Sequence, residues 1–181
     1  MAYVKYLIFS IANRKYAMEL VHVNGTEQNY SVIPIPDAPD NVTGVVNLRG
    51  GIIPVYSLRG RFGLPTRIYN DSKSLMIVRS SGIMVGYEVD EVVNIEELDT
   101  NDVNTMPRIA IHGGADAEFM DQVLHIGQGI VVVVDVNRVI PDEDIERLER
   151  LIEERSKEEE STESEDDEEQ VESDVDEEAQ E

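Results

Sequence analysis

Residues 34–65, PIPDAPDNVTGVVNLRGGIIPVYSLRGRFGLP, constrain the fold more than any other part of the chain. Pro34, Pro36 and Pro39 each fix φ, remove a backbone donor and push the preceding residue out of the helical region, so the approach is expected to be extended. Two runs rich in β-branched residues follow, at 42–48 and 52–58. Arg49-Gly50-Gly51 separates them where glycine adopts positive φ at little cost, which predicts a hairpin with a charged tip. Pro54 lies inside the second run and cannot donate to a ladder, so that strand is expected at an edge or at a bulge.

The same punctuation recurs along the chain. Runs at 3–10 and 16–23 flank the polar Asn13-Arg14-Lys15 and predict a first hairpin. Asn24-Gly25 predicts a turn, with a loop or short helical turn over 26–29. Residues 58–64 suit one helical turn ended by Gly63 and Pro65. A further hairpin is expected from 75–78, the turn Ser80-Ser81-Gly82 and 83–89, leading into Asp90, Glu91, Val92, Val93, Asn94 and Ile95. Residues 101–111 show no period, and Gly113-Gly114 predicts a loop. The last hairpin joins 119–126 to 130–136 through Gly127-Gln128-Gly129. Its five consecutive β-branched residues predict a strand buried on both faces. Hairpins spaced by glycine turns, with no helices between strands, indicate an all-β protein of small barrels. Pro141 opens a helix over 141–155, with acids in its first turn and a stripe of Ile145, Leu148, Leu151 and Ile152.

Charge divides the chain. Residues 1–140 hold 16 acids against 11 bases, whereas residues 141–181 hold 22 acids against 4, so most of the net charge of -23 belongs to the end of the chain. Residues 156–181 contain hardly any aliphatic side chain beyond Val171 and Val175 and are expected to be a disordered acidic tail, regulatory or solubilising. No basic face suits nucleic acid. No apolar run approaches the roughly 20 residues that span a bilayer, and the N-terminal residues lack a cleavable signal, so a cytoplasmic protein without membrane insertion is expected. The absence of cysteine excludes disulfides, thiolate metal sites and thiol catalysis.

The ordered pattern Val42, Gly44, Val45, Val46, Asn47, Leu48, Arg49, Gly50, then Ile52, Ile53, Pro54, Val55, Leu58 and Arg59, resembles the CheW-like domain family. That family includes the chemotaxis coupling proteins and the docking domain of the chemotaxis histidine kinase. The resemblance covers about residues 3–140. It implies two five-stranded, SH3-like barrels packed across a shared apolar core, followed by the helix and the tail. It also implies a non-enzymatic adaptor that joins the signalling tips of chemoreceptors to the kinase. A module of the same fold serving a different signalling kinase is the alternative. Where the family commonly carries an acidic residue before the leucine of the second strand, this chain has Ser57. Glu27 stands near the place where the family often carries a glutamate.

Partner-binding candidates follow from this reading: Val23, Gly44, Asn47, Leu48, Arg49, Gly50, Val92 and Val93. Arg49 at a hairpin tip could engage a partner or brace the two barrels, against the plain reading of a solvated arginine. Gly44 could admit a partner backbone or mark a bulge. Val23, Val92 and Val93 could line a groove for a receptor helix, though such valines are commonly core. Catalytic, cofactor and metal sites are not expected. His22, His112 and His125 are scattered, His112-Gly113-Gly114 has no nucleophile elbow beside it, and Gly127–Gly129 leads into no helix that could hold a phosphate. Asp90 and Glu91 are adjacent in an extended run and point to opposite faces.

Overall fold

Nearly every run of β-branched and aromatic residues forms a strand in the computed structural model, which describes residues 2–65, 73–106 and 118–158. In chain order the strands are β1 (Tyr3–Ile11), β2 (Arg14–Glu19), β3 (Val23–Glu27), β4 (Val42–Leu48), β5 (Gly51–Ser57), β6 (Ser74–Ser80), β7 (Ile83–Val89), β8 (Glu91–Asp99), β9 (Val103–Thr105), β10 (Gln122–Ile126) and β11 (Gly129–Val133). Helix α1 (Leu58–Arg61) follows β5. A second helix, α2, occupies 142–158.

The strands form two sheets, ordered β8-β1-β2-β11-β10-β9 and β3-β6-β7-β5-β4. Each curls into a barrel because the two ends of its order belong to one stretch of chain. β8 and β9 are a single path bent by a 3-10 turn at Thr100–Asp102, so the first barrel has six named strands but five strand paths. In the second barrel β3 pairs with β6, and further along the same segment Ile33 bridges Val45 of β4. The chain passes from the first barrel to the second through a 3-10 turn at Leu20–His22, and returns at Asp90 between β7 and β8.

Three apolar clusters result. Tyr6, Ile8, Ala17, Leu124, Val131 and Val133 fill the first barrel. Val46, Ile53, Val55, Leu75 and Ile77 fill the second. The largest lies between them: Leu7, Phe9 and Ile11 from β1 meet Tyr56, Met76, Val78 and Tyr87, and Ile145 and Leu148 of α2 pack on the same cluster. Successive residues of β1 therefore serve different cores, Tyr6 and Ile8 the barrel interior and Leu7 and Phe9 the joint. At about 1.5–3 kcal/mol for each large apolar side chain removed from water, the joint is a principal source of stability.

Several sequence expectations are corrected. The first hairpin turns at Ala12-Asn13, both in the left-handed region at φ 52 and 62, so Arg14 and Lys15 begin β2. Asn24-Gly25 is no turn: both lie within β3, where a register shift between Val23 and Gly25 absorbs the additional residue as a bulge. Pro54 does not lie on an edge strand, because β5 runs between β4 and β7. Val45 exchanges both backbone hydrogen bonds with Ile33, at 2.8 and 2.9 Å, so its pair with Pro54 is a non-bonded one and the proline nitrogen faces β7. The ladder with β7 begins only at Val55, leaving no donor required at Pro54. The bulge is in β4, between Val42 and Gly44. The β-branched run of β11 is not buried on both faces: Val131 and Val133 point inward, while Ile130 is 64% exposed. The helix expected to end at 155 continues through 158, where Arg155 pairs with Glu158. The Gly113-Gly114 loop and residues from 159 onward lie outside the described residues.

Candidate functional site

Seven of the eight predicted partner-binding residues fall into two groups, and Gly44 stands apart from both. Asn47, Leu48, Arg49 and Gly50 occupy the tip of the β4–β5 hairpin, where Leu48 pairs with Gly51 across a two-residue turn. Arg49 and Gly50 both adopt left-handed φ, 54 and 77, the conformation that matches the twist of the flanking strands. Leu48 is half-buried against the interior of the second barrel and anchors the tip. Arg49 is exposed and makes no hydrogen bond or ion pair among the described residues, so it does not brace the barrels. Its charge is presented outward at the tip of a two-residue turn.

Gly44 is buried at the β4 bulge with φ +152, and a Cβ added there would overlap the carbonyl oxygen of Ile33. The close approach expected at this glycine is made by the chain itself. The Ile33–Val45 bridge that closes the second barrel depends on it.

Val23 and Val92 come from different barrels, yet both are half-buried and pack on the cluster at the joint. Val93 is 39% exposed because a register shift in the β1–β8 pairing leaves it opposite no partner. Ile95, two residues on, is 53% exposed. β8 thus exposes two aliphatic side chains, Val93 and Ile95, of which Ile95 escaped the sequence reading. Val21 in the 3-10 turn, 80% exposed, escaped it as well. Alternation alone could not find them, since Val21 lies in a 3-10 turn and the β8 register shift at Val93 breaks the period of two.

A set of polar contacts braces the barrels beside the apolar joint. The Arg59 guanidinium meets Asp90 at 2.8 Å (Nη2 to Oδ2) and 3.4 Å (Nε to Oδ1), and donates from Nη1 to the Pro65 carbonyl. Asp90 Oδ2 also accepts the Ala12 amide at 2.7 Å, joining the second barrel to the first hairpin of the first. Arg61 donates to the Val139 carbonyl at 2.7 Å and lies over the Phe119 ring at 4.7 Å. Ser80 Oγ donates to the Val136 carbonyl at 2.6 Å, and burial pushes the neighbouring Tyr87 hydroxyl far above its ordinary pKa, keeping it a neutral donor. Ser57, standing where an acid was expected, caps α1 by accepting the Gly60 amide at 3.1 Å.

Among the described residues no group of three or more His, Asp or Glu side chains could hold a metal. Asp90 is committed to Arg59 and Ala12, and Glu91 is exposed on the neighbouring strand. Tyr30 donates to Glu88 at 3.0 Å, and burial together with the Glu88 charge raises its pKa steeply, opposite to what a nucleophile requires. No helix among the described residues is long and apolar enough to cross a membrane.

Comparison with known proteins agrees with this architecture. The model of the CheW-like domain matches residues 5–144. A chemotaxis protein CheW from Klebsiella aerogenes is 25% identical over 141 residues, covering 78% of this chain and 84% of that protein. A chemotaxis protein CheW from Bacillus subtilis is 25% identical over 139 residues, covering 77% and 88%. The crystal structure of the scaffolding protein TtCheW from Thermoanaerobacter tengcongensis superposes with a TM-score of 0.70 at 25% identity, over 79% of this chain and 96% of that one.

Proposed function

The chain belongs to the CheW-like domain family, and from that premise we propose that it acts in chemotaxis by joining the cytoplasmic signalling tips of chemoreceptors to the docking domain of the chemotaxis histidine kinase. It is a non-enzymatic scaffold whose work is positional. One surface holds the kinase, another holds a receptor helix, and a change of receptor state reaches the kinase because both are fixed to the same rigid body. The observation that carries this reading is the exposed Arg49, uncommitted among the described residues and placed at the tip of a two-residue turn.

The aliphatic seam of Val23, Val92 and Val93 supports the second half of the reading. A receptor helix presenting apolar residues at spacings of three and four would fit it. Titration calorimetry with a kinase docking-domain fragment and with a receptor signalling-tip fragment tests both halves. Saturable binding to each is expected, and absence of binding to both contradicts the proposal.

A further inference from the structure

The open end of the first barrel carries a groove of about 580 Å³ that the kinase and receptor contacts proposed above do not use. Its lining is largely aliphatic, with the buried Ile8 and Val131, the half-buried Ile126 and Val132 and the 64% exposed Ile130. Its rim holds Arg14 and Lys15, both exposed and neither in an ion pair among the described residues. Glu96 is the single acid of the lining, and its carboxylate accepts from Asn94 at 2.7 Å. In a chain of net charge -23, two uncommitted cations beside an exposed isoleucine form a surface of unusual character.

The chain contains a segment of complementary chemistry. Residues 159–181 hold 14 carboxylates and no base, and their only aliphatic side chains are Val171, Val175 and Ala179. A spacing of four places those three on one side of any helical turn, with acids around them. The 13 residues from Glu158 to Val171 reach up to about 45 Å, against a radius of gyration of about 14 Å for a domain of some 140 residues. Tethering also supplies the segment at an effective concentration on the order of millimolar. A second groove of about 570 Å³, between 35–39 and α2, suits it less, because Asp37, Glu154 and Glu158 line it beside its three arginines, of which Arg147 and Arg155 pair with Asp144 and Glu158 and Arg150 donates to the Glu146 carbonyl.

We propose that the segment around Val171, Val175 and Ala179 docks in the groove of its own first barrel, its valines on Ile126 and Ile130 and its carboxylates on Arg14 and Lys15. The docked tail is displaced by salt or by a competing acidic ligand.

The chain contains no cysteine, so Ser173→Cys in the full chain takes a single nitroxide label. Paramagnetic broadening of backbone amides is then read in the isotope-labelled protein. Selective loss of the signals of 13–16 and 126–132 is expected in dilute buffer. Recovery of those signals is expected near 1 M salt, where the screening length falls to about 3 Å. Arg14→Gln with Lys15→Gln, and separately Val171→Ser with Val175→Ser, should each restore them. The salt arm uses the native groove and tail and therefore stands even where a substitution disturbs folding. Broadening spread evenly over the surface, broadening centred on 35–39 and 147–155, or broadening only when isotope-labelled and spin-labelled chains are mixed would each overturn the proposal.

Discussion

Arg59 and Asp90 pair across the joint between the barrels: their side chains, only 17% and 11% exposed, meet at 2.8 Å, and the same Asp90 oxygen accepts the Ala12 amide at 2.7 Å. Removing either partner leaves a largely desolvated charge without its counterpart, the situation in which a partly buried pair costs most to break. Asp90→Ala and Arg59→Ala are each expected to lower unfolding free energy by about 2–3 kcal/mol. In a double-mutant cycle followed by urea denaturation, a coupling of at least about 1 kcal/mol is expected. Additivity within about 0.5 kcal/mol would show that the pair does not hold the joint.

Gly44 and Gly25 provide a contrast between two strand glycines. Gly44→Ala would press a Cβ against the Ile33 carbonyl in a backbone conformation that L residues rarely adopt, whereas nothing lies within 4 Å of a Cβ at Gly25. The expected losses are about 2–4 kcal/mol at Gly44 and within about 0.5 kcal/mol at Gly25. Thermal unfolding of the two variants side by side measures this. Equal behaviour would remove the barrel-closing role given to Gly44.

The hairpins were legible in the sequence because their signals are local: Arg49-Gly50, Ser81-Gly82 and Gly127 sit at turns where glycine or a tolerated left-handed residue is needed. The barrel crossings were not. Val23 and Glu91 begin strands in a different sheet from the strands before them, and each crossing replaces one apolar face with another, leaving periodicity unchanged. Arg59 and Asp90 are 31 positions apart, so no short-range pattern connects them. The edge expected for Pro54 failed for a related reason: which side of a strand faces an unpaired stretch depends on register with β7, set from a distance. Of the candidate site, the Arg49 tip was readable from turn chemistry, while the seam at Val23 and Val92 came only with the family resemblance.

Asp144 provides a pH test. Burial in the first turn of α2 raises its pKa, with Arg147 at 3.6 Å opposing the shift. A carboxyl whose folded pKa exceeds its unfolded value contributes stability when protonated, and that contribution is lost as pH rises through the folded value. Asp144→Asn removes the ionisation. The variant should therefore gain on the native protein as pH is raised from about 3 to 7, read as the difference of their Tm values across that range. A difference that does not change with pH contradicts the assignment.

Arg49→Ala should leave the fold intact, because alanine carries the same left-handed cost at φ 54 and the side chain buries nothing. Affinity for the kinase or receptor fragment should fall roughly tenfold or more, the equivalent of about 1.5–3 kcal/mol for a charge-assisted contact. Arg49→Lys should recover only part of it, since the planar fork of donors is lost. Calorimetry with circular dichroism as the folding control decides the matter, and unchanged affinity for both partners removes Arg49 from the site.

The central claim is that this chain transmits receptor state to a kinase by holding both. The direct measurement is kinase autophosphorylation in a reconstituted mixture of receptor signalling fragments, histidine kinase and this protein, with each component omitted in turn. Receptor-dependent change in autophosphorylation is expected only when all three are present, and is expected to weaken with Arg49→Ala. Autophosphorylation that responds to receptor equally well without this protein, or that ignores receptor in its presence, would contradict the account.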